Sequence, residues 1–398
     1  MILKDVLRSV IKLQGKELDK IDFGIERNVL KNIDTKLPLV IILSGIRRCG
    51  KSTVLKQIIK NTDNFYYFNF EDQRVFGFET GDFEKLDEVF HEEFGECDIY
   101  FFDEIQNVEG WERFVRRMQD SGKRFVITGS NASLLSKELG TKLTGRHITH
   151  ELFPFSYTEM LRLMSKKRSL LSFESYMKTG GFPEYLKFNK TEILQELLND
   201  IVMRDIVSRY NIRETKTIKE IAIYILTNVG KEFSYTNIAK HFKLGSTNTA
   251  ISYISYFEDS YLIFTIPKFD CSYKKQVIGP KKAYSIDTGL SNANSASFSD
   301  DKGRMLENIV FLDLRRKYKN IFYFKDKGEC DFVIMDKGKL TMAIQVCYEL
   351  TDDNKEREIG DLREAMKKLK IKKGIIITLN QEDELDEIEV KAAWKWLS

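Results

Sequence analysis

Residues 45 to 52 read GIRRCGKS, which fits the phosphate-loop spacing G-x-x-x-x-G-K-[ST]. The apolar, β-branched run LPLVIILS ends at Ser44 and predicts a buried parallel strand. After the loop, TVLKQIIK places Val54, Leu55, Ile58 and Ile59 at helical spacing. Strand, glycine-permitted turn and helix N-terminus together present free N–H groups and a positive dipole end to an anion. Gly45 and Gly50 let the backbone approach it, and Lys51 can reach the β- and γ-phosphates. The hydroxyl of Ser52 can ligand Mg²⁺, and Arg48 and Thr53 join the nucleotide-contacting positions. The segment predicts binding of ATP with Mg²⁺.

A second segment points to hydrolysis. IYFFDE at 99–104 is an apolar strand ending in two carboxylates. Asp103 resembles the Walker B aspartate that holds Mg²⁺ through water, and Glu104 stands where a general base would polarise the attacking water. A third strand, RFVIT at 124–128, leads into GSN, where Ser130 or Asn131 is placed to sense the γ-phosphate.

Other features set bounds. A chain of 398 residues exceeds one ordinary core and predicts two or three domains. Its 63 basic and 60 acidic residues leave a net charge of +3, so any surface for nucleic acid must be local. Five cysteines form no C-x-x-C pair, which fits a reducing, cytoplasmic setting and no zinc site. The charged N-terminus does not read as a signal peptide, and no stretch reaches transmembrane length, so no membrane partner is expected.

The predicted strands near 38–43, 65–70, 99–103, 124–128 and 147–152 alternate with helices, as in a parallel α/β sheet. Residues 166–229 are mostly helical. Between 230 and 290 a helix-turn-helix pattern appears: Ser234 caps YTNIAKHF, KLGS forms the turn, TNTAISYISYFEDSY forms the next helix, and a wing follows. From 300 to 398 the α/β alternation returns with FYF, DFVIM, LTMAIQVCY and GIIIT.

Residues 23 to 190 resemble the AAA-type ATPase domain of a prokaryotic family of ATP-binding proteins. The segments carrying the resemblance are SGIRRCGKST, FNFED, YFFDEIQNVEGWERFVR, ITGSNASLLS, LTGR, LFPFSYTEM and GGFPEYL. The remainder resembles the domain that habitually follows it. The resemblance implies an AAA-type parallel-sheet core over 1–165, a helical lid over 166–229, a winged helix over 230–290 and a C-terminal α/β domain over 300–398. It also implies that Arg146 of LTGR meets a γ-phosphate, in cis or from a neighbouring subunit, against the plainer reading of a solvated arginine before a strand. Arg204 becomes a lid arginine touching nucleotide, against an ion pair with a nearby acid.

Ser246, Thr247 and Asn248 open the candidate recognition helix with small polar side chains, and Lys274, Lys275, Lys281 and Lys282 place positive charge on or near the wing. DNA is the expected partner, although winged helices of this type also dock proteins or act as lids. The C-terminal domain resembles the PD-(D/E)XK nuclease fold, with Glu307 on a helix, Asp331 on a strand, and Gln345 and Cys347 on the next strand. Gln345 stands in the second acidic position and Cys347 in the lysine position, so the site is expected to be degenerate. The chain therefore reads as an ATP-hydrolysing protein acting on DNA, branched and damaged forms included. Two alternatives stand beside this: a regulatory switch for protein partners, with a homo-oligomer among its forms, and an ATP-regulated endonuclease.

Overall fold

The computed structural model describes residues 1–18, 20, 23–130, 145–296 and 301–397. Two compact units emerge, Met1–Leu152 and Phe153–Ser398.

The first unit is built on a five-stranded sheet in the order β2-β3-β4-β1-β5. Its strands are β1 (Val40–Gly45), β2 (Tyr66–Asn69), β3 (Ile99–Asp103), β4 (Arg124–Gly129) and β5 (His147–Leu152), and every pairing is parallel. All five follow the sequence pattern within two residues. Residues Val40, Ile42, Tyr66, Phe68, Tyr100, Phe102, Phe125 and Ile127 enter one core cluster. It is closed by Leu7, Val10 and Ile11 of the helix Lys4–Leu18, by Phe83, Leu86, Val89 and Phe90 of Asp82–Phe94, and by Trp111, Phe114 and Val115 of Trp111–Asp120. Aromatic rings dominate it: Phe83 stacks on Phe114 at 4.7 Å and Tyr100 on Phe125 at 4.8 Å. Such pairs contribute roughly 0.5–1.5 kcal/mol beyond the area they bury.

Strand β2 lies at an edge, and the first helix covers part of it. The side chain of Gln14 brackets Asn69, its amide donating to the Asn69 carbonyl at 3.1 Å and its oxygen accepting from the Asn69 N–H at 3.0 Å. Backbone groups left open by the sheet are thus satisfied by one side chain.

The second unit begins with helices Tyr157–Leu163, Leu170–Thr179, Pro183–Phe188 and Thr191–Asp200, a π-helical stretch Ile201–Ser208, and the helix Thr215–Thr227. Then come β6 (Glu232–Phe233), helices Tyr235–His241 and Thr247–Asp259, and the antiparallel pair β7 (Ile263–Pro267) and β8 (Lys281–Ser285), with β8 central in the order β6-β8-β7. The C-terminal part is a six-stranded mixed sheet in the order β13-β14-β12-β11-β10-β9. It contains β9 (Asn320–Lys325), β10 (Glu329–Asp336), β11 (Lys339–Val346), β12 (Gly374–Thr378), β13 (Asp383–Leu385) and β14 (Ile388–Ala392). The last two strands are additions to the four read from the sequence.

The motif GGFPEYL has a packing role in this unit. Asp287 accepts from the Gly181 N–H at 2.6 Å and the Leu290 N–H at 2.9 Å. A Cβ on Gly181 would stand 2.1 Å from the Phe155 carbonyl oxygen, and Gly180, at φ +66°, would meet the Asp287 carboxylate. Both glycines are therefore required by close approach. Among the described residues, no helix is long and apolar enough to cross a membrane.

Candidate functional site

The phosphate loop connects the end of β1 to the helix Lys51–Ile59, as the sequence requires. Gly50 caps this helix at φ +99°, and Arg48 is left-handed at φ +61°. Gly45 has a reason the sequence did not disclose. It lies beside Leu152 on β5, and a Cβ there would sit 2.2 Å from the Leu152 carbonyl oxygen. Glycine at this position thus serves sheet packing, whereas Gly50 serves the loop conformation itself. Arg27, buried in the segment before β1, donates to the Cys49 carbonyl at 2.8 Å and supports the loop from behind.

Lys51 is 4% exposed and donates to the Ile46 carbonyl at 3.2 Å, with Glu104 3.6 Å away. The Ser52 hydroxyl donates to the Asp103 carboxylate at 3.1 Å, and Thr128 donates to the same oxygen at 2.5 Å. Thr128 also accepts from the Glu104 N–H at 2.8 Å, so one hydroxyl fixes both acidic residues at the end of β3. Glu104 adopts the left-handed region at φ +53°, ψ +43°, a turn that costs of order 1 kcal/mol and swings its side chain back toward the loop. Its carboxylate accepts from the Gln106 amide, and that amide also lies 3.5 Å from the Ser130 hydroxyl. Burial, then the charge of Glu104, push the Asp103 carboxyl up to about 6, against the hydrogen bonds from Thr128 and Ser52. A hydroxyl and a carboxylate side by side form the hard-oxygen pair that Mg²⁺ prefers, and these residues fit that ion. Neither Thr128 nor Arg27 was singled out from the sequence. A threonine inside an apolar strand gives no signal until the neighbouring strand is known.

Other expected residues are placed differently. Asn131 lies outside the described residues. Ser130 is buried just past the end of β4, at the same end of the sheet as Asp103. Thr53, in the first turn of the loop helix, is half-buried. Arg146 precedes β5, and its carbonyl accepts from the N–H of Val40, the first residue of β1. The loop leaves from Gly45, five residues along, a distance of about 16 Å at the rise of a strand. Arg146 is half exposed and ion-paired with Asp120. The expectation that it meets the γ-phosphate of its own site is corrected: it stands at the opposite end of the sheet. Arg204 is exposed on the π-helical stretch of the second unit.

The expected wing lysines divide. Lys274 and Lys275 are exposed on a short helix, Tyr273–Ile278, between β7 and β8. Lys281 is half-buried, and burial lowers its pKa. Lys282 is 3% exposed and cannot face a DNA phosphate, which corrects its assignment to a DNA-binding surface. Its ammonium instead lies 2.7 Å from Glu329, 3.0 Å from Asp331 and 3.3 Å from Glu307. Ser246 caps its helix by accepting from the Thr249 N–H at 3.2 Å, and Thr247 and Asn248 are exposed.

The nuclease-like constellation is only partly brought together. Glu307 and Asp331 converge on Lys282. Gln345 turns its oxygen to the Asp331 N–H at 3.3 Å and donates to Glu358 at 2.7 Å. Cys347 turns its thiol toward the Glu349 carbonyl at 3.1 Å. Among the described residues, no group of three or more His, Cys, Asp or Glu side chains is arranged to hold a metal ion.

The all-parallel sheet, the phosphate loop at the end of β1 and the paired carboxylates at the end of β3 define a P-loop ATPase of the AAA type. A family described as "AAA domain" matches residues 38–161, and two domains of unknown function, DUF8612 and DUF4143, match 170–301 and 302–395. The chain is 39% identical over 435 residues to the uncharacterized protein MJ1544 of Methanocaldococcus jannaschii, covering 100% of this chain and 96% of that protein. It is 29% identical over 380 residues to an uncharacterized protein of Haemophilus influenzae, covering 89% and 93%. The chain belongs to this prokaryotic family of AAA-type P-loop ATPases. Among solved structures, the Orc1 protein of Aeropyrum pernix in complex with DNA aligns at 13% identity and a TM-score of 0.34, over 73% of this chain and 92% of that one.

Proposed function

We propose that this chain hydrolyses ATP and that its nucleotide state governs a DNA-contacting winged helix and a C-terminal nuclease-like domain that does not cut. The carrying observation is the linked set Lys51, Ser52, Asp103, Thr128 and Glu104 at one end of the sheet. Lys51 would bind the β- and γ-phosphates, Ser52 and Asp103 would hold Mg²⁺, and Glu104 would align the attacking water. Mg²⁺, when bound, neutralises charge on the phosphates. Because Lys51 and Glu104 lie 3.6 Å apart, a γ-phosphate that draws Lys51 away weakens the contact that restrains the base. Nucleotide binding and base release are thereby coupled. An arginine stabilising the γ-phosphate comes from a second copy of the chain, and the setting is cytoplasmic.

The order helix, short strand, two helices and antiparallel pair supports a winged helix over about 230–290, with the lid before it and the nuclease-like domain after it. Exposed Thr247, Asn248, Lys274 and Lys275 support DNA contact through small polar groups and phosphate charges. The test is ATP turnover with and without duplex, single-stranded and junction DNA. Stimulation supports the DNA reading, and tightly retained ADP with no response to any DNA opposes it.

One observation favours a second reading, a switch for protein partners. The wing helix exposes Tyr273 at 78%, Ile278 at 69% and Val277 at 50%, and two of the four expected lysines are withdrawn from its surface. Apolar groups of this size suit a protein surface better than a phosphate backbone.

A further inference from the structure

The sequence leaves the nuclease-like centre without a lysine, because Cys347 occupies that position. The structure supplies one from elsewhere. Lys282 arrives from β8, on the three-stranded sheet, and inserts between Glu307 of the helix Lys302–Lys317 and Glu329 and Asp331 of β10. Its position there differs from that of a lysine assisting a metal. All three carboxylates converge on the ammonium nitrogen at 2.7–3.3 Å, hydrogen-bond distances, whereas Mg²⁺ would draw its oxygens to about 2.1 Å.

Much of the remaining acceptor capacity is also committed, although both bonds to Glu307 fall on the same oxygen. The Tyr284 hydroxyl donates to Glu307 at 2.7 Å, the Val346 N–H donates to Asp331 at 3.0 Å, and Lys325 pairs with the second oxygen of Glu329 at 3.1 Å. The oxygen of Gln345, the other candidate ligand, accepts from the Asp331 N–H. Gly230, left-handed at φ +76°, leaves room for the Glu307 carboxylate, since a Cβ there would approach it to 3.0 Å. Burial opposes charge throughout this centre. The charges of Asp331, Glu307 and Glu329 nonetheless hold the lysine pKa far above its ordinary value. Burial raises Glu307 and Asp331, with the charge of Asp331 adding to the rise at Glu307.

We propose that Lys282 is the resident cation of this centre: its ammonium balances the charge of Glu307, Glu329 and Asp331, and it clasps the three-stranded sheet to the six-stranded one without any metal. This deepens the non-cutting reading of the C-terminal domain and uses no part of the nucleotide site. Removing the ammonium leaves three carboxylates around a vacated cation position, so Lys282→Met converts the clasp into a divalent site.

The test is Mn²⁺ binding to the full chain without nucleotide, followed by electron paramagnetic resonance and by thermal midpoint. Wild type should show no Mn²⁺ uptake that depends on Asp331 and essentially no shift in midpoint. Lys282→Met should take up about one Mn²⁺, and saturating Mn²⁺ should raise its midpoint by about 3 °C. Should Lys282→Met fail to fold, Lys282→Met with Glu329→Gln lowers the repulsion and keeps Glu307 and Asp331 as ligands, with the same gain expected. Wild-type Mn²⁺ uptake abolished by Asp331→Asn overturns the proposal, as does a folded Lys282 variant that gains no Mn²⁺. ATP turnover of the same samples reads the phosphate-loop site separately. Its loss in wild type would count against the ATPase reading alone, and DNA cleavage by wild type with Mn²⁺ would count against the non-cutting reading and this proposal together.

Discussion

Two buried lysines face carboxylates in this protein, and they are held in opposite ways. Lys51 of the phosphate loop stands 3.6 Å from Glu104, a long contact that a phosphate can outcompete. Lys282 of β8 is gripped by three carboxylates within 3.3 Å, one for each of its three N–H donors. Burial is nearly the same, at 4% and 3% exposed. The difference lies in the carboxylates: three stand within hydrogen-bond reach of Lys282, whereas Glu104 stands beyond it from Lys51. A carboxylate at the longer distance can yield to a phosphate, and three at the shorter one make a structural joint.

The contrast can be broken most sharply at Glu104. Glu104→Gln keeps the loop and Lys51, so ATP should still bind while turnover falls by about 10²–10⁴. Single-turnover assays beside nucleotide titration check this, and wild-type turnover would place the base elsewhere. A paired experiment then sets the lysines against each other. Lys51→Ala should weaken ATP binding by ~10²-fold, the loss of a charged contact worth about 3 kcal/mol, with the thermal midpoint unmoved. Lys282→Met should do the reverse, destabilising the second unit by about 3–5 kcal/mol, because removing one partner strands buried charge. If both variants lose stability equally, the two lysines do the same work and the contrast fails.

A smaller effect concerns Thr128, whose hydrogen bond helps keep the buried Asp103 ionised. The metal-binding form of Asp103 is the deprotonated one, and its carboxyl is pushed up to about 6, so ATP turnover at limiting Mg²⁺ should fall as pH drops through that region. Thr128→Val removes a bond that lowers this pKa, so the acid limb should move upward by about one unit. An unmoved limb in a folded variant would assign the titration to another group. The smallest effect belongs to the wing. Lys274→Ala with Lys275→Ala should weaken DNA binding a few-fold and make its salt dependence shallower by roughly two charges. An unchanged slope points to a protein partner.

The phosphate loop was legible because its determinants are contiguous: apolar strand, glycines, lysine and helix fall within about twenty residues of sequence. Asp103 and Glu104 were legible for a related reason, since carboxylates after an apolar strand end where the strand ends. Arg146 was misplaced against the expected topology: in an all-parallel sheet the residue before β5 lies at the end opposite the loop that follows β1, and the family resemblance alone put it at the γ-phosphate. Lys282 was misread for a stronger reason. Its partners lie 25 to 49 residues away on other elements, and a lysine in PKKAYSI reads as surface charge until those carboxylates are in view. The two last strands are short and half polar, and so fall below what alternation can signal.

The bracket that Gln14 places on Asn69 bears on how this chain tolerates shortening. The edge of β2 is closed by a side chain from a separate helix, not by another strand, so the closure is removable as a piece. A chain trimmed of its first helix would keep every residue of the phosphate loop. It would also bare Leu7's, Val10's and Ile11's partners in the core and an open row of peptide groups beside them. Such a fragment is primed to recruit a strand from its neighbour, so its first failure would be self-association in solution and not a loss of chemistry.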